Sequence, residues 1–120
     1  MTQNIDKLPS VLYEGQYRLE QTTAFAQWLH DLRDTVGRAR ILKRLRRVAD
    51  GNLGDVKAIG DGVHELRLFF GPGYRVYFMF QGDALIFLLA GGDKSSQERD
   101  IANAKEVARQ IIDGGEDNGI

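Results

Sequence analysis

Residues 62–89 read GVHELRLFFGPGYRVYFMFQGDALIFLL, and we expect the rest of the fold to be built around them. It contains three largely apolar runs separated by two short segments with glycine, Gly71-Pro72-Gly73 and Gln81-Gly82-Asp83. Three-residue connections of this kind are typical of β-hairpins. We therefore expect three consecutive antiparallel strands, whose pairing can be counted outward from each loop.

Counting outward from the first loop places Phe70 opposite Tyr74 and Arg67 opposite Tyr77. Because successive side chains of a strand alternate between the two faces of the sheet, one face is nearly all apolar and is predicted to be core. Its members are His64, Leu66, Leu68, Phe70, Tyr74, Val76, Phe78 and Phe80. The other face carries Glu65, Arg67, Phe69, Arg75, Tyr77 and Met79. Two guanidinium groups and a phenol are thus expected to converge on a face that a ligand could reach.

The third run is apolar on both faces. Counting from the second loop places Leu85, Phe87 and Leu89 on the face of Arg67 and Tyr77, whereas Ile86 and Leu88 join the core. A strand that is apolar on both faces is covered on both sides. We expect the second cover to be the C-terminal helix, in part, or a partner protein, leaving a groove that is apolar at one side and cationic at the other.

The rest of the chain supplies helices and outer strands. Thr22 or Thr23 is expected to be the N-cap of a helix that ends near Val36-Gly37, followed by a second amphipathic helix over residues 38–49. Further expected elements are a loose or extended arm over residues 1–15, an edge strand over 17–21, a strand over 55–59, and a C-terminal helix that stops at Gly114-Gly115, with residues 113–120 loosely ordered. The predicted fold class is α+β, with two N-terminal helices on a mainly antiparallel sheet of four or five strands and a C-terminal helix.

Composition limits the class of protein. The chain has 120 residues, a formal net charge of −1 and no cysteine, which fits one soluble domain over residues 1–120 and excludes disulfide and thiolate chemistry. It contains neither a run long enough to span a bilayer nor a signal-peptide pattern at its start. A cytoplasmic location without membrane association is the expectation.

Positive charge is concentrated in one segment. Seven Lys or Arg residues and one acid lie between Arg33 and Arg47. One interpretation is a solvated helix face whose arginine stems cover apolar neighbours. The other is a face that contacts phosphates, for which the candidate RNA-binding residues are Lys43, Arg44 and Arg47.

Candidate residues for catalysis lie on the hairpin and its flanks. Arg67, Arg75 and Tyr77 share one sheet face, and Lys57 and Lys94 lie on flanking segments. Cationic side chains stabilise negative charge that develops on a phosphoryl group, and a lysine with a lowered pKa could transfer a proton. The alternative is a salt bridge between Arg67 and a nearby acid. His30 and His64 lack metal-ligand spacing, so no metal site or cofactor is predicted.

Several ordered motifs resemble one known family. They are FAQWLHDL at 25–32, the basic second helix, GNLGDVK at 51–57, GVHELR at 62–67, GPGYRVYF at 71–78 and GGDKSSQ at 91–97. Across residues 17–108 the chain resembles the RelE/ParE superfamily of toxins from type II toxin–antitoxin modules, in its phage Gp49-like or HigB-like branch of addiction module killer proteins.

This resemblance implies a small α/β fold and inhibition of growth that an antitoxin relieves. The implied partner is a helix-turn-helix antitoxin, through which the complex contacts DNA only indirectly, and Leu85, Phe87 and Leu89 are the residues expected to bind it. The implied activity is ribosome-dependent cleavage of messenger RNA, with Arg67 and Arg75 at positions of phosphate-contacting arginines. The ParE branch shares the fold but inhibits DNA gyrase without being a nuclease, so a gyrase inhibitor or a non-toxic binding module stays as the alternative.

Overall fold

The computed structural model describes residues 10–118. Its secondary structure comprises strands β1 (Ser10–Glu14) and β2 (Arg18–Gln21), helices α1 (Thr23–Asp31) and α2 (Thr35–Ala49), strands β3 (Val56–Gly60), β4 (Val63–Arg67), β5 (Arg75–Gln81) and β6 (Leu85–Gly92), a short 3-10 turn (Lys94–Ser96), and helix α3 (Gln97–Asn118). The α+β class is confirmed, but the sheet of the described residues has six strands and not the four or five expected. None of the helices in this part of the chain is long and apolar enough to cross a membrane.

Six strands form one mixed sheet in the order β1-β2-β6-β5-β4-β3. The pairs β3–β4, β4–β5 and β5–β6 are antiparallel, whereas β2 runs parallel to β6, with Arg18 opposite Leu85. The expected edge strand is therefore internal, because β1 pairs on its outer side. In the predicted loose or extended arm, residues Ser10–Glu14 are extended and form this outer strand, while residues 1–9 lie outside the described residues.

The helix boundaries differ from expectation because of a capping residue. Thr22 caps α1 by accepting a hydrogen bond from the Phe25 amide, as expected. Asp34 then caps a new helix by accepting one from the Gly37 amide at 2.9 Å. An aspartate at an N-cap position satisfies an otherwise unpaired amide, so the first helix ends at Asp31 and the second begins at Thr35. At the other end of the chain, α3 continues through Gly114 to Asn118.

The hairpin register also differs, by two residues. Arg67 pairs with Arg75 and Glu65 with Tyr77, whereas counting from a tight loop had paired Arg67 with Tyr77. Since side chains alternate with a period of two, a two-residue shift keeps every side chain on its predicted face. The predicted core face is confirmed: Leu66, Val76 and Phe78 have no exposed surface and pack with residues of α1 and α2.

Helix α3 covers the other face of the sheet. Val63, Tyr77, Met79 and Leu89 form a second buried cluster with Ala104 and Ala108 of that helix. The prediction that the C-terminal helix shields this face is thus confirmed. The expected open groove is wrong at its centre, because α3 closes it.

Candidate functional site

The loop between β4 and β5 projects one aromatic side chain into solvent. The loop closes with hydrogen bonds from the Leu68 amide to the Tyr74 carbonyl and from the Gly73 amide to the Phe70 carbonyl, both 3.0 Å. Gly71 and Gly73 have φ values of 54° and 78°, in the left-handed region that favours glycine. The turn leaves Phe69 73% exposed, the highest value among the described large apolar residues that are exposed.

Two shallow pockets flank Phe69. The first, the basic pocket, has a volume of about 280 Å³ and is lined by Arg40, Lys43, Arg44, Arg47, Leu68, Phe69 and Phe70. The second, the hairpin pocket, has a volume of about 370 Å³ and is lined by Phe69, Phe70, Gly71, Pro72, Gly73, Arg75 and Lys94. All ionisable side chains that line these two pockets are cationic, so the surface around Phe69 is suited to an anionic ligand.

The arginines of the basic pocket have different roles. Arg44 donates hydrogen bonds to the carbonyls of Leu53, Asp55 and Arg67 at 3.0–3.1 Å, so its charge ties α2 to the two strands beyond it. Burial lowers the pKa of its guanidinium. Lys43 and Arg47 are exposed and make no ion pair within the described residues. Of the three residues predicted to bind RNA, Lys43 and Arg47 are placed to meet a ligand, and Arg44 stabilises the fold.

Arg75 forms part of the lining of the hairpin pocket in a fixed orientation. Its side chain is 8% exposed, and Nη1 donates to the carbonyls of Gly73 and Tyr74 at 3.1 and 3.3 Å. Its Nε lies 3.8 Å from the carboxylate of Glu65. Among residues 10–118, Nη2 has no hydrogen-bond partner. A guanidinium held in this way is pre-organised to receive an anion. Lys94, exposed on the 3-10 turn, supplies a second charge to the same pocket.

Tyr77 belongs to a buried network and not to the pocket. Its side chain has no exposed surface, and its hydroxyl donates to Glu65 Oε2 at 3.1 Å. Gln97, at the start of α3, donates to the same oxygen at 2.7 Å. Burial, followed by the Glu65 charge, raises the pKa of the Tyr77 phenol. The prediction of a catalytic Tyr77 is corrected, because α3 covers the face on which that residue lies.

Arg67 and Lys57 do not line the hairpin pocket. Arg67 forms a two-point ion pair with Asp55, its Nε and Nη2 each 3.2 Å from a carboxylate oxygen. The alternative interpretation, a sheet-surface salt bridge, is therefore confirmed. Lys57 is exposed on the outer strand β3, opposite Glu65. The two predicted catalytic arginines are cross-strand neighbours, but of the two only Arg75 lines the hairpin pocket.

The residues predicted to bind an antitoxin are only partly accessible. Leu89 has no exposed surface beneath α3, so that residue is corrected to a core position. Phe87 is half-buried against the same cluster. Leu85 is also half-buried and lines a separate shallow pocket of about 460 Å³ between the ends of β2, β5 and β6.

Neither histidine is part of the site. His64 stacks on Phe78 with ring centroids 5.4 Å apart, and His30 is exposed beside Asp31. In the part of the chain that the structure describes, no group of three or more His, Cys, Asp or Glu side chains is arranged to hold a metal ion.

Sequence reasoning did not select two residues of the site, Phe69 and Arg40. Strand alternation had placed Phe69 on the outer face, and an apolar side chain expected there was the available signal. Arg40 lies with its guanidinium carbon 4.9 Å from the centre of the Phe70 ring, a contact that depends on how α2 packs and that leaves no local signal.

Comparisons with known proteins identify the family of this chain. A family model described as phage derived protein Gp49-like matches residues 27–112. A protein of Haemophilus influenzae that is named only as uncharacterized is 43% identical over 94 residues, which cover 78% of this chain and 95% of that protein. No solved structure matches the chain significantly. Because the family model spans α2, the hairpin and most of α3, the chain belongs to the Gp49-like family, a family of HigB-like addiction module killer toxins.

Proposed function

We propose that this protein is the toxin of a type II toxin–antitoxin module and that it inhibits translation by cleaving messenger RNA on the ribosome. The observation that carries the proposal is the cationic surface around Phe69, where Lys43 and Arg47 lie on one side and Arg75 and Lys94 on the other. Family membership supports the toxin class. RNA is the substrate that fits best, because the surface offers several charges for phosphates beside an exposed aromatic ring.

The proposed chemistry is attack by a 2′-hydroxyl on the neighbouring phosphate. The hydroxyl loses its proton as its oxygen bonds to phosphorus, the bond from phosphorus to the 5′-oxygen breaks, and that oxygen gains a proton. The products are a 2′,3′-cyclic phosphate and a 5′-hydroxyl. Arg75 stabilises the charge on the phosphoryl oxygens, and Lys94, charged and exposed, gives the leaving oxygen its proton.

The group that accepts the proton of the 2′-hydroxyl has to come from outside the hairpin pocket. Arg75 and Lys94 are the ionisable side chains that line the hairpin pocket, and both types carry a proton at neutral pH. The pocket therefore offers positive charge and a proton donor but no base. A reaction that takes its base from the ribosome or from the bound RNA is consistent with this composition.

A non-cleaving toxin is the second candidate, and the same observation favours it. A pocket without a base can bind an anionic or mixed surface without catalysing a reaction, as a gyrase inhibitor of the ParE type would. In that case transcripts stay intact while gyrase-dependent breaks accumulate in DNA.

Controlled expression in a bacterial host separates the two candidates. We expect wild-type protein to stop growth and to generate transcripts with 5′-hydroxyl ends. Lys94→Gln should lower cleavage at least about tenfold, as expected for loss of a proton donor. Arg109→Gln removes the same charge from the exposed side of α3, away from the hairpin pocket, and should cleave as the wild type does. Growth arrest with intact transcripts and broken DNA would instead support the gyrase candidate.

The proposed partner is a small helix-turn-helix antitoxin. Leu85 is the predicted contact that is still accessible beside a pocket, so Leu85→Glu should prevent co-elution with the product of the neighbouring reading frame in size-exclusion chromatography. Val36→Glu places the same charge at another exposed apolar position and should leave the complex intact. If both variants co-elute with the antitoxin, the proposed contact is wrong.

A further inference from the structure

The exposure of Phe69 has no explanation within the fold. Its neighbours Leu68 and Phe70 are buried and half-buried, respectively. The centre of the Phe70 ring lies 4.9 Å from the guanidinium carbon of Arg40 and 5.8 Å from the centre of the Tyr74 ring. The guanidinium carbon of Arg67 lies 5.5 Å from the centre of the Phe69 ring. With 73% of the residue still exposed, the ring retains a large accessible surface. A single exposed aromatic ring is not by itself evidence of a binding site, so its surroundings decide whether it belongs to one.

The surroundings of the ring indicate the chemistry of its ligand. Phe69 lines both the basic pocket and the hairpin pocket, so it separates Lys43 and Arg47 from Arg75 and Lys94. No carboxylate lines either pocket among the described residues. An apolar anchor of a protein partner would be expected inside a wider apolar patch, whereas here the ring is flanked by charges of one sign. A flat aromatic base with a phosphate on each side matches this alternation of charge, ring and charge.

We propose that Phe69 is a stacking platform for one unpaired base of a single-stranded nucleic acid. The phosphates on one side of that base contact Lys43 and Arg47, and those on the other side enter the hairpin pocket toward Arg75 and Lys94. The inference rests on the proposed function, since it uses the same surface, and adds the residue that positions the strand across it. Duplexes bind more weakly, because their bases are paired and stacked internally.

Binding to an uncleavable strand tests the inference without relying on cleavage. The probe is a fluorescent single-stranded DNA of about 12 nucleotides, which lacks the 2′-hydroxyl nucleophile. We expect Phe69→Ala and Phe69→Leu to weaken binding about ten- to one-hundredfold, and Phe69→Trp to bind at least as tightly as the wild type, because stacking needs an aromatic face. Val36→Ala truncates another exposed apolar residue and should bind as the wild type does.

The dependence of DNA affinity on salt concentration distinguishes stacking on Phe69 from contacts between cationic side chains and phosphates. Each of Lys43→Gln and Arg47→Gln should lower the slope of log affinity against log salt by about 0.7, whereas the Phe69 variants should leave the slope unchanged. An affinity of Phe69→Ala within twofold of the wild type, or a Phe69→Leu variant that binds normally, would overturn the inference. So would a Phe69→Ala protein that binds DNA normally but no longer binds its antitoxin, since the ring would then be a protein contact.

The proposed cleavage and the proposed stacking on Phe69 can fail independently of each other. If the probe binds through Phe69 while ribosome-bound messenger RNA stays intact, cleavage fails and stacking stands. If messenger RNA is cleaved and Phe69→Ala binds and cleaves as the wild type does, stacking fails and the nuclease stands.

Discussion

The Tyr77 hydroxyl donates a hydrogen bond to the carboxylate of Glu65 at 3.1 Å, and the two residues are 0% and 2% exposed. Glu65 also lies 3.8 Å from Arg75, so one buried carboxylate connects the core under α3 to the cation of the hairpin pocket. A buried charge needs such partners, because its desolvation is otherwise unfavourable. The network therefore orients Arg75 without exposing a catalytic tyrosine.

Tyr77→Phe tests that assignment. Loss of one buried hydrogen bond should lower the free energy of unfolding by about 1–2 kcal/mol, as measured by urea denaturation. Growth inhibition should persist, because Gln97 still donates to Glu65 and the guanidinium of Arg75 still lies 3.8 Å from it. A variant that folds as stably as the wild type but no longer inhibits growth would restore a catalytic role for the phenol.

Arg44 and Arg47 form a matched pair on α2 that separates stability from binding. Arg44→Gln removes donors to three carbonyls and should lower the free energy of unfolding by about 3 kcal/mol. Arg47→Gln should change it by less than about 0.5 kcal/mol, since the side chain is exposed and outside any ion pair within residues 10–118. Urea denaturation of both variants is the measurement. Equal losses of stability would contradict the division of roles.

Two glycines of the motif at 91–97 are required for packing. A Cβ on Gly91 would collide with the Trp28 ring, and one on Gly92 would collide with the Asp100 carboxylate. Gly91→Ala should therefore cost about 1–3 kcal/mol of unfolding free energy through overpacking. Gly114→Ala, at a helical position with open space around the new methyl group, should be neutral or stabilising by up to about 1 kcal/mol. A Gly91→Ala protein as stable as the wild type would show that the indole can move aside.

The raised pKa of Tyr74 predicts a loss of stability at alkaline pH. Burial and the hydrogen bond to Asp34, 2.8 Å long, raise the pKa of the Tyr74 phenol to about 12. In the unfolded chain the phenol has its ordinary pKa of about 10. The stabilisation that the protonated phenol gives the folded protein is therefore present below pH 10 and is lost as the pH rises toward 12. Between pH of about 9 and 11, the wild type should lose more unfolding free energy than Tyr74→Phe does. Parallel pH profiles for the two proteins would contradict the assignment.

Local pattern predicted the faces of the central strands correctly but not their register. Leu66, Val76 and Phe78 are buried as expected, because a two-residue shift preserves alternation. The register shifts because residues 68–74 leave the regular strand pairing and form a wider loop. The glycines and the proline in this segment predict a turn but do not specify how long the loop is. That same loop produces the exposure of Phe69 and both pockets.

Long-range packing explains the remaining differences. The parallel pairing of β2 with β6 brings Arg18 beside Leu85, 67 positions apart in the chain, and no local periodicity encodes it. Glu65 likewise finds Gln97 through the docking of α3, which buries Tyr77 and Leu89. The predicted charges of α2 were visible in the sequence, but which of them bind the backbone and which face solvent depends on the strands that α2 packs against.

Cleavage of messenger RNA in a purified translation system is the decisive test of the proposed ribonuclease activity. The wild type, Lys94→Gln and Arg109→Gln proteins are each incubated with a defined message, with and without ribosomes, and the RNA ends are mapped. We expect the wild type and Arg109→Gln to produce 5′-hydroxyl ends only when ribosomes are present, and Lys94→Gln to do so at least about tenfold more slowly. An intact message in the presence of ribosomes and folded wild-type protein would contradict the claim.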